Sequence, residues 1–280
     1  MYIRCWGSRG SVPVSGKEYI KYGGDTTCFE IRSDDGEIII VDAGTGIRNL
    51  GNKLLREKCS DYHLIFTHAH LDHIVGFPFF KPFYARHSKL RMYRCPDSRF
   101  VRNMLSNIME PPFFPVRYTE AMSEIIYMND IDCEDGFHIG SVEIRSVPIS
   151  HPNTGRGYRF SEKGKSFVFI TDNELGYQHP GGLTFDGYVK FSADADLLIH
   201  DAEYTPEEYK KLITWGHSAY TEVLELAMAA RVKKVGLFHL NQERTDQQVD
   251  QMVEDCRKII GKKKSSLECF AVRCTSEFYL

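Results

Sequence analysis

Six short apolar runs of this chain lead, at their ends, into a histidine or an aspartate. Runs such as Ile38–Val41 and Phe167–Ile170 have the length and β-branched or aromatic character of buried strands. The six polar residues that follow such runs are Asp42, His68, His151, Asp172, His200 and His239. Because open sheets place their ligand sites beyond the strand ends, we expect these side chains to converge on one site.

Strand-like runs alternate with longer amphipathic stretches, which is typical of a layered α/β fold. Strands are predicted at 28–32, 37–41, 63–67, 142–147, 166–171, 196–199 and 234–238. Helices are predicted at 47–58, 218–232 and 246–260. No Gly/Ser/Pro-rich linker divides the chain, so we expect a single domain over residues 1–280, with an aromatic and proline-rich insertion at about 77–140.

Charge, hydropathy and cysteine usage predict the cellular compartment of the chain and the kinds of partner it can bind. The chain has 35 Lys and Arg against 38 Asp and Glu, a formal charge of −3, which argues against coating nucleic acid through bulk positive charge. The apolar runs are too short to span a bilayer and no signal peptide is visible, so we expect a cytoplasmic protein without a membrane partner. The eight cysteines form no Cys-x-x-Cys pair, which favours reduced thiols over a disulfide framework.

The densest polar motif is His-x-His-x-Asp-His, formed by His68, His70, Asp72 and His73. Imidazole and carboxylate are donors that suit zinc and other borderline divalent ions. On a tight loop, His68 and His70 can point to one ion while Asp72 and His73 point to a second. A solvated polar loop is the alternative, but four donors in six positions argue against it.

At this motif the sequence resembles the metallo-β-lactamase superfamily, and the resemblance extends along most of the chain. It implies an α/β fold of the αββα sandwich type, in which two mixed β-sheets are flanked by helices, with two divalent metal ions at one sheet edge. The ions are expected to be Zn²⁺, with Mn²⁺ or Fe as alternatives. The implied metal ligands are His68, His70, Asp72, His73, His151, Asp172 and His239. Asp172 is the implied bridging carboxylate, and Asp42 is the implied buried carboxylate that supports the histidine loop.

Departures from relatives indicate the branch of the superfamily. Within this superfamily, true β-lactamases of the commonest subclass carry a cysteine where Asp172 stands, which argues against antibiotic hydrolysis. The residues around Asp201 resemble the His-Glu-Ala-Thr motif of the tRNase Z and phosphodiesterase branch, with Asp in place of Glu. The residues around His217 resemble its His-Ser motif, whose histidine assists proton transfer to the leaving oxygen.

The resemblance therefore gives three predicted catalytic residues, Asp72, His217 and Asp201. An Asp–His pair is chemically reasonable, because the carboxylate orients the imidazole ring and raises its basicity. For His217 the alternative is a histidine in an ordinary capping loop, since Ser218 is predicted to cap the helix that follows.

Two features weigh against tRNase Z itself. The interval from His151 to Asp172 is too short for the protruding arm that most members carry there, and a charge of −3 gives no help in binding a polyanion. The stretches 6–11 and 22–27 resemble instead bacterial members of uncertain substrate, some of them proposed cyclic-nucleotide phosphodiesterases.

The favoured function is hydrolysis of a small (cyclic) nucleotide or a similar phosphodiester by a dinuclear metal centre. The enzymatic alternatives are a tRNase Z-like RNA 3′-end endonuclease, which would make RNA a less favoured partner, and a glyoxalase-II-type thioester or lactone hydrolase. A catalytically silent binding module is the alternative from another class, and a homodimer is compatible with the sequence.

Three residues are candidates for contacts with substrate. Arg9, in a glycine-flanked loop, could reach a phosphate, although an ordinary surface arginine is the alternative. Phe113 and Phe114 belong to a Pro–aromatic cluster that could form a lid over the metals or a base-stacking wall. A satellite hydrophobic core under a long connection explains the same cluster equally well.

Overall fold

The strands and helices alternate much as the apolar pattern predicts. The computed structural model describes residues 1–93, 98–129, 131, 133 and 135–280. Its strands are β1 (Tyr2–Gly7), β2 (Cys28–Arg32), β3 (Ile38–Val41), β4 (Asp61–Ile65), β5 (Lys89–Tyr93), β6 (Glu124–Met128), β7 (Phe137–Ile139), β8 (Val142–Pro148), β9 (Arg156–Glu162), β10 (Lys165–Ile170), β11 (Leu197–Asp201), β12 (Lys234–Phe238), β13 (Glu268–Ala271) and β14 (Glu277–Tyr279). Its α-helices are α1 (Ile47–Arg56), α2 (Leu71–Ile74), α3 (Ser98–Ile108), α4 (Phe185–Ser192), α5 (Pro206–Tyr209), α6 (Tyr220–Ala229) and α7 (Asp246–Lys262).

These strands form two seven-stranded sheets. The first has the order β14-β1-β2-β3-β4-β5-β6 and the second the order β13-β12-β11-β10-β9-β8-β7. In each sheet one part is antiparallel and the other parallel, the parallel parts running from β3 to β6 and from β10 to β13. Both sheets are therefore mixed, as predicted.

The two sheets enclose an apolar layer rich in aromatic rings. Phe29 on β2 lies with its ring centroid 4.9 Å from that of Phe169 on β10 and 5.3 Å from that of Phe238 on β12. Helix α1 packs on the outer face of the first sheet, and helices α4, α6 and α7 pack on the outer face of the second. This αββα sandwich confirms the predicted fold class.

The helix boundaries follow from local capping. Helix α7 begins with the predicted capping box of Thr245 and Gln248. Helix α6 begins later than predicted, because Ala219 is its N-cap residue and the Glu222 carboxylate accepts the Ala219 N–H. The prediction that Ser218 caps this helix is wrong. Its hydroxyl donates to the Asn173 carbonyl at 2.6 Å and so joins two loops of the site.

The segment at about 77–140, which the sequence suggests to be an insertion, is in large part integral to the fold. It supplies β5 and β6 to the first sheet and β7 to the second. The side chains of Phe77, Phe80 and Phe83 are fully buried in the core that also covers helix α1. This part of the segment is therefore core and does not form a lid.

Two expectations from the sequence concern the oxidation state of the cysteines and the presence of membrane-spanning segments. Free thiols are found at Cys5, Cys28, Cys59, Cys256, Cys269 and Cys274. Cys133 is disulfide-bonded, so the expectation of reduced thiols is wrong at that residue. Within the described ranges, no helix combines the length and apolar character needed to cross a membrane.

Candidate metal centre

Candidate ligands and the supporting Asp42 lie where strands of the two sheets end. Asp42 directly follows β3, Asp172 follows β10 by one intervening residue, and His239 directly follows β12. All three have positive φ angles, of 62°, 51° and 53°, which residues other than glycine rarely adopt. Backbone strain of this kind is concentrated at functional sites, where the surrounding structure holds it in place. Here the positive φ angles turn the backbone sharply at these three positions, close to the ends of the strands.

The first cluster consists of His68, His70, His151 and Asp172, whose ligand atoms all lie within 4.8 Å of one another. His151 Nε2 lies 3.0 Å from His70 Nδ1. One carboxylate oxygen of Asp172, Oδ2, lies 3.5 Å from His68 Nε2 and 3.8 Å from His151 Nε2. Three imidazoles and one carboxylate therefore face a common point.

The second cluster consists of Asp72, His73, His239 and again Asp172. His73 Nε2 lies 3.4 Å from Asp72 Oδ2 and 3.2 Å from Asp172 Oδ1. His239 Nε2 lies 3.1 Å from Asp72 Oδ2 and 3.4 Å from Asp172 Oδ2. Asp172 therefore belongs to both clusters, in the position of a bridging carboxylate.

The residues of the two clusters fit divalent cations. His68 Nε2 and His73 Nε2 are buried and have no hydrogen-bond partner within the part of the chain that the structure describes. Such orphaned buried nitrogens are uncommon, and an ion is a standard explanation. Asp72 and Asp172 also place two carboxylates in a buried site, where compensating positive charge is needed.

Residues outside the two clusters orient the imidazole rings. The Asp42 carboxylate faces His73 Nδ1 at 2.8 Å and accepts the Thr67 N–H at 2.7 Å. The carbonyl of Gly216 lies 2.8 Å from His151 Nδ1. Metal-binding histidines usually use their second nitrogen for contacts of this kind, which fix the tautomer and the ring direction. The position of Asp42 agrees with its predicted supporting role.

The electrostatics of the site follow from burial and from opposite charges. Burial lowers the pKa of His151 to about 4, so its imidazole is neutral at pH 7. Burial also opposes ionisation of Asp172, but the charges of His239 and His73 hold the pKa of this carboxyl well below its usual range. A neutral His151 and an ionised Asp172 are the protonation states that bind metal ions. Although burial opposes it, the charge of Asp172 raises the pKa of His73 and of His239 well above the usual range, so a bound ion would take the place of the protons on these two imidazoles.

His217 and Asp201 form a buried pair beside the clusters. His217 Nδ1 lies 3.2 Å from Asp201 Oδ2 and 3.5 Å from Glu203 Oε2. The His217 ring centroid lies 4.8 Å from that of His239 and 5.2 Å from that of His151. Burial opposes the charged imidazolium, but the charge of Glu203 and the hydrogen bond to Asp201 raise the pKa of His217 to about 9.

Two glutamates that the sequence analysis did not assign to the site have central positions. Glu203 Oε2 lies 2.9 Å from His239 Nδ1, and it could form a third group of candidate ligands with His217 and His239. The buried carboxylate of Glu174 accepts the N–H groups of Thr214 and Gly216, each at 2.8 Å. The only sequence signal was the proximity of these glutamates to Asp172 and Asp201 along the chain.

Arg9 does not face the site, so its predicted contact with a substrate phosphate is wrong. The residue is fully buried, and its guanidinium donates to the carbonyls of Gly23, Asn241 and Arg244 at 3.0 Å each. The glycine-flanked loop is thus tied from inside to the loop that follows His239. Arg9 serves the structure of the site, and a phosphate cannot reach it without breaking these bonds.

The two predicted aromatic contacts differ in exposure. The side chain of Phe113 is 83% exposed, whereas Phe114 is partly buried and meets Phe79 edge-on with ring centroids 5.6 Å apart. Both residues line a groove that also includes Leu71, the residue between His70 and Asp72. The groove therefore adjoins the candidate ligand loop.

The αββα sandwich carries two linked His/Asp clusters that have the features of a dinuclear metal centre. The family model described as "Beta-lactamase superfamily domain" matches residues 37–240. The chain belongs to this superfamily and is a metal-dependent hydrolase.

Similar proteins include the ribonuclease Z of Haloarcula marismortui, which is 22% identical over 92% of this chain and 91% of its own length. Among solved structures, the metallo-β-lactamase fold protein YhfI from Bacillus subtilis is 18% identical with a TM-score of 0.70, covering 99% of this chain and 98% of that one. A diphosphatase from the PhnP family is 16% identical with a TM-score of 0.67, covering 100% of this chain and 97% of that one. At these identities the structural matches show a shared fold.

Proposed function

We propose that this chain is a dinuclear zinc phosphodiesterase that acts on a small substrate such as a cyclic nucleotide. The observation that carries the proposal is the placement of His217, backed by Asp201, against two clusters that share Asp172. Two ligand sets joined by one carboxylate suit an in-line displacement at phosphorus. The histidine and carboxylate donors suit zinc, with manganese and iron as alternatives.

The site residues have separate roles in this reaction. Two divalent ions, when bound, supply Lewis acidity for the phosphoryl oxygens and lower the pKa of an attacking water. His68, His70 and His151 would hold one ion, and Asp72, His73 and His239 would hold the other. Asp172 belongs to both sets and would contribute to both. Asp72 also accepts the Ser11 N–H at 2.9 Å, which fixes its carboxylate.

His217 protonates the leaving oxygen. Its Nδ1 faces Asp201, which leaves Nε2 as the nitrogen that can donate to the substrate. Asp201 is itself fixed by the N–H groups of Asn173 and Ser218, at 3.1 and 3.2 Å. Hydrogen bonds from His200 and His217 outweigh burial and lower the pKa of Asp201 to about 2, so it remains an acceptor at neutral pH.

A small substrate is favoured over a long RNA. The interval between His151 and Asp172 contains only the β9–β10 hairpin, whose strands are joined at Lys163 and Gly164. This interval therefore contains no protruding arm. The net charge of −3 also provides no general attraction for a polyanion.

The test is hydrolysis by the purified, zinc- or manganese-loaded chain of cyclic mononucleotides, bis(p-nitrophenyl) phosphate and a thioester. We expect turnover of the phosphodiesters, and loss of at least about 10³-fold in Asp72→Ala because a ligand is removed. Asp194→Ala, at an exposed carboxylate outside both clusters, is the matched control. Full activity of Asp72→Ala, or turnover of thioesters far above that of phosphodiesters, would contradict the proposal.

The second candidate function is RNA 3′-end processing of the tRNase Z type. It is favoured by the similarity to the Haloarcula ribonuclease Z, which extends over 92% of this chain. A precursor tRNA with a 3′ trailer, assayed beside the cyclic nucleotides, separates the two candidates. Cleavage of the precursor with a kcat/KM at least tenfold above that for every small diester would favour the ribonuclease.

A further inference from the structure

A groove of about 470 Å³ lies beside the candidate metal centre, and the proposed function does not use it. We call it the aromatic groove and define it by Leu71, Val75, Phe79, Ile108, Phe113 and Phe114. Its volume falls in the range of sites that hold small organic groups, about 300–1,000 Å³.

The aromatic groove is continuous with the ligand loop. Leu71 and Val75 lie at the two ends of the helical turn that carries Asp72 and His73. Asp72 and His73 are buried on the side of the ions, whereas the side chain of Leu71 is 65% exposed. The groove therefore begins at the residue that separates two candidate ligands, His70 and Asp72.

The chemistry of the lining selects for an apolar occupant. Of the described residues that line the groove, the only polar side chain is that of Asn107, and none is charged. Phe113 and Phe79 are 83% and 53% exposed, so a large apolar surface is left in water beside a polar site. Exposed apolar surface next to a pocket is typical of a ligand or partner contact. A phosphate-rich polyanion would find no cation among these residues.

The position of the groove also indicates which part of the substrate it holds. His217, which protonates the leaving oxygen in the proposed function, lies against His151 and His239. The described lining of the groove includes no residue of the 201–217 segment. The leaving group and the occupant of the groove therefore meet different walls of the site.

We infer that the aromatic groove is a subsite for an aromatic or otherwise apolar substituent that remains on the phosphorus during hydrolysis. The inference rests on the proposed function, because it names the substrate class of that site. The substrate is then a diester with one flat or apolar arm, such as a nucleobase or aryl group.

The kinetic test compares two diesters with the same leaving group, bis(p-nitrophenyl) phosphate and methyl p-nitrophenyl phosphate. We expect the ratio of their kcat/KM values to favour the bis-aryl ester and to fall about tenfold in Phe113→Ser and Phe79→Ser, as is usual when apolar contacts are lost. Both side chains are exposed, so the variants should fold. Ile20→Ser, at a residue that is 77% exposed and does not line the groove, is the matched control.

Binding measurements separate failure of the subsite from failure of the proposed function. Calorimetry would compare diphenyl phosphate with dimethyl phosphate on the metal-loaded chain. If neither diester is cleaved but the diphenyl preference depends on Phe113, the subsite stands and the proposed function fails. If both diesters are cleaved and Phe113→Ser changes neither the ratio nor the binding, the subsite is refuted. A wild-type dimer that Phe113→Ser dissociates would assign the surface to a second copy and overturn the inference.

Discussion

Replacing His217 by alanine should make catalysis depend strongly on the basicity of the leaving group. A general acid contributes about 10²- to 10⁴-fold when the departing oxygen is a strong base, and little when it leaves readily as an anion. His217 is poised for this role because its Nδ1 lies 3.2 Å from the ionised Asp201 carboxylate. Its ring also lies within 5.2 Å, centroid to centroid, of two candidate ligands.

The assay uses two substrates that differ only in the leaving group, methyl p-nitrophenyl phosphate and methyl phenyl phosphate. We expect kcat for the phenyl ester to fall about 10²-fold in His217→Ala, a change of about 2.7 kcal/mol in barrier height. The nitrophenyl ester should lose less than about fivefold, because p-nitrophenolate departs without a proton. His138→Ala is the control, since this exposed histidine on β7 belongs to none of the candidate ligand groups.

An equal loss for both esters would refute this reasoning. It would mean that His217 positions the substrate or the metal centre and does not donate a proton. No loss for either ester would show that another group supplies the proton. Metal content measured on the same samples separates these outcomes from simple loss of an ion, because His217 also lies next to His239.

Three further predictions concern the metal ions, a positioning residue and pH-dependent stability. Zinc at about 100 times its Kd should stabilise the chain by about 2.7 kcal/mol. Metal analysis should find fewer than two ions in Asp172→Ala, and two ions in that variant would refute a shared carboxylate. Glu174→Gln should lower kcat about tenfold with little change in KM, because the Glu174 carboxylate holds the loop before His217 by accepting two of its N–H groups. A normal kcat would show that the loop keeps its position without this carboxylate. Burial raises the pKa of Asp196, but hydrogen bonds, among them one from Lys233, lower it below its usual value. The stability that the ionised carboxylate contributes is therefore present above the unfolded pKa of about 3.9 and is lost as pH falls through the lower folded pKa. Asp196→Asn should therefore cost about 1 kcal/mol in urea unfolding at pH 7 and less near pH 3, with no measurable change for the exposed Asp194→Asn.

Local patterns in short windows of sequence predicted the layered fold and the place of the site, and the resemblance to the metallo-β-lactamase superfamily then implied the seven candidate ligands. A strand-like run followed by Asp or His, as at Asp42 and His239, predicts both a strand and a candidate site residue at its end. The His68–His73 motif is confined to six positions. The structure brings all seven residues together, while their binding of metal stays a prediction.

What local patterns could not supply are contacts between distant segments. Glu174 accepts the Gly216 N–H across 42 positions, and Glu203 faces His239 across 36. Arg9 donates to the Asn241 carbonyl across 232 positions, so a residue that resembles a phosphate ligand in sequence is an internal tie in the fold. Nothing in the residues next to Arg9 distinguishes it from an ordinary surface charge, and the two glutamates are marked only by their proximity to Asp172 and Asp201 along the chain.

The glutamates show why the candidate acid and the candidate ligands form one unit. Glu203 faces both His239 and His217, so its carboxylate bears on a ligand and on the proton donor at once. Glu174 holds the Gly216 N–H, while the Gly216 carbonyl faces His151, and the next residue in the chain is His217. Each carboxylate is therefore linked both to a candidate metal ligand and to the candidate acid or its loop, so a shift of the metal ligands should also shift the acid. In the proposed reaction, the loops that follow β10 and β11 therefore orient the candidate metal ligands and the candidate acid together.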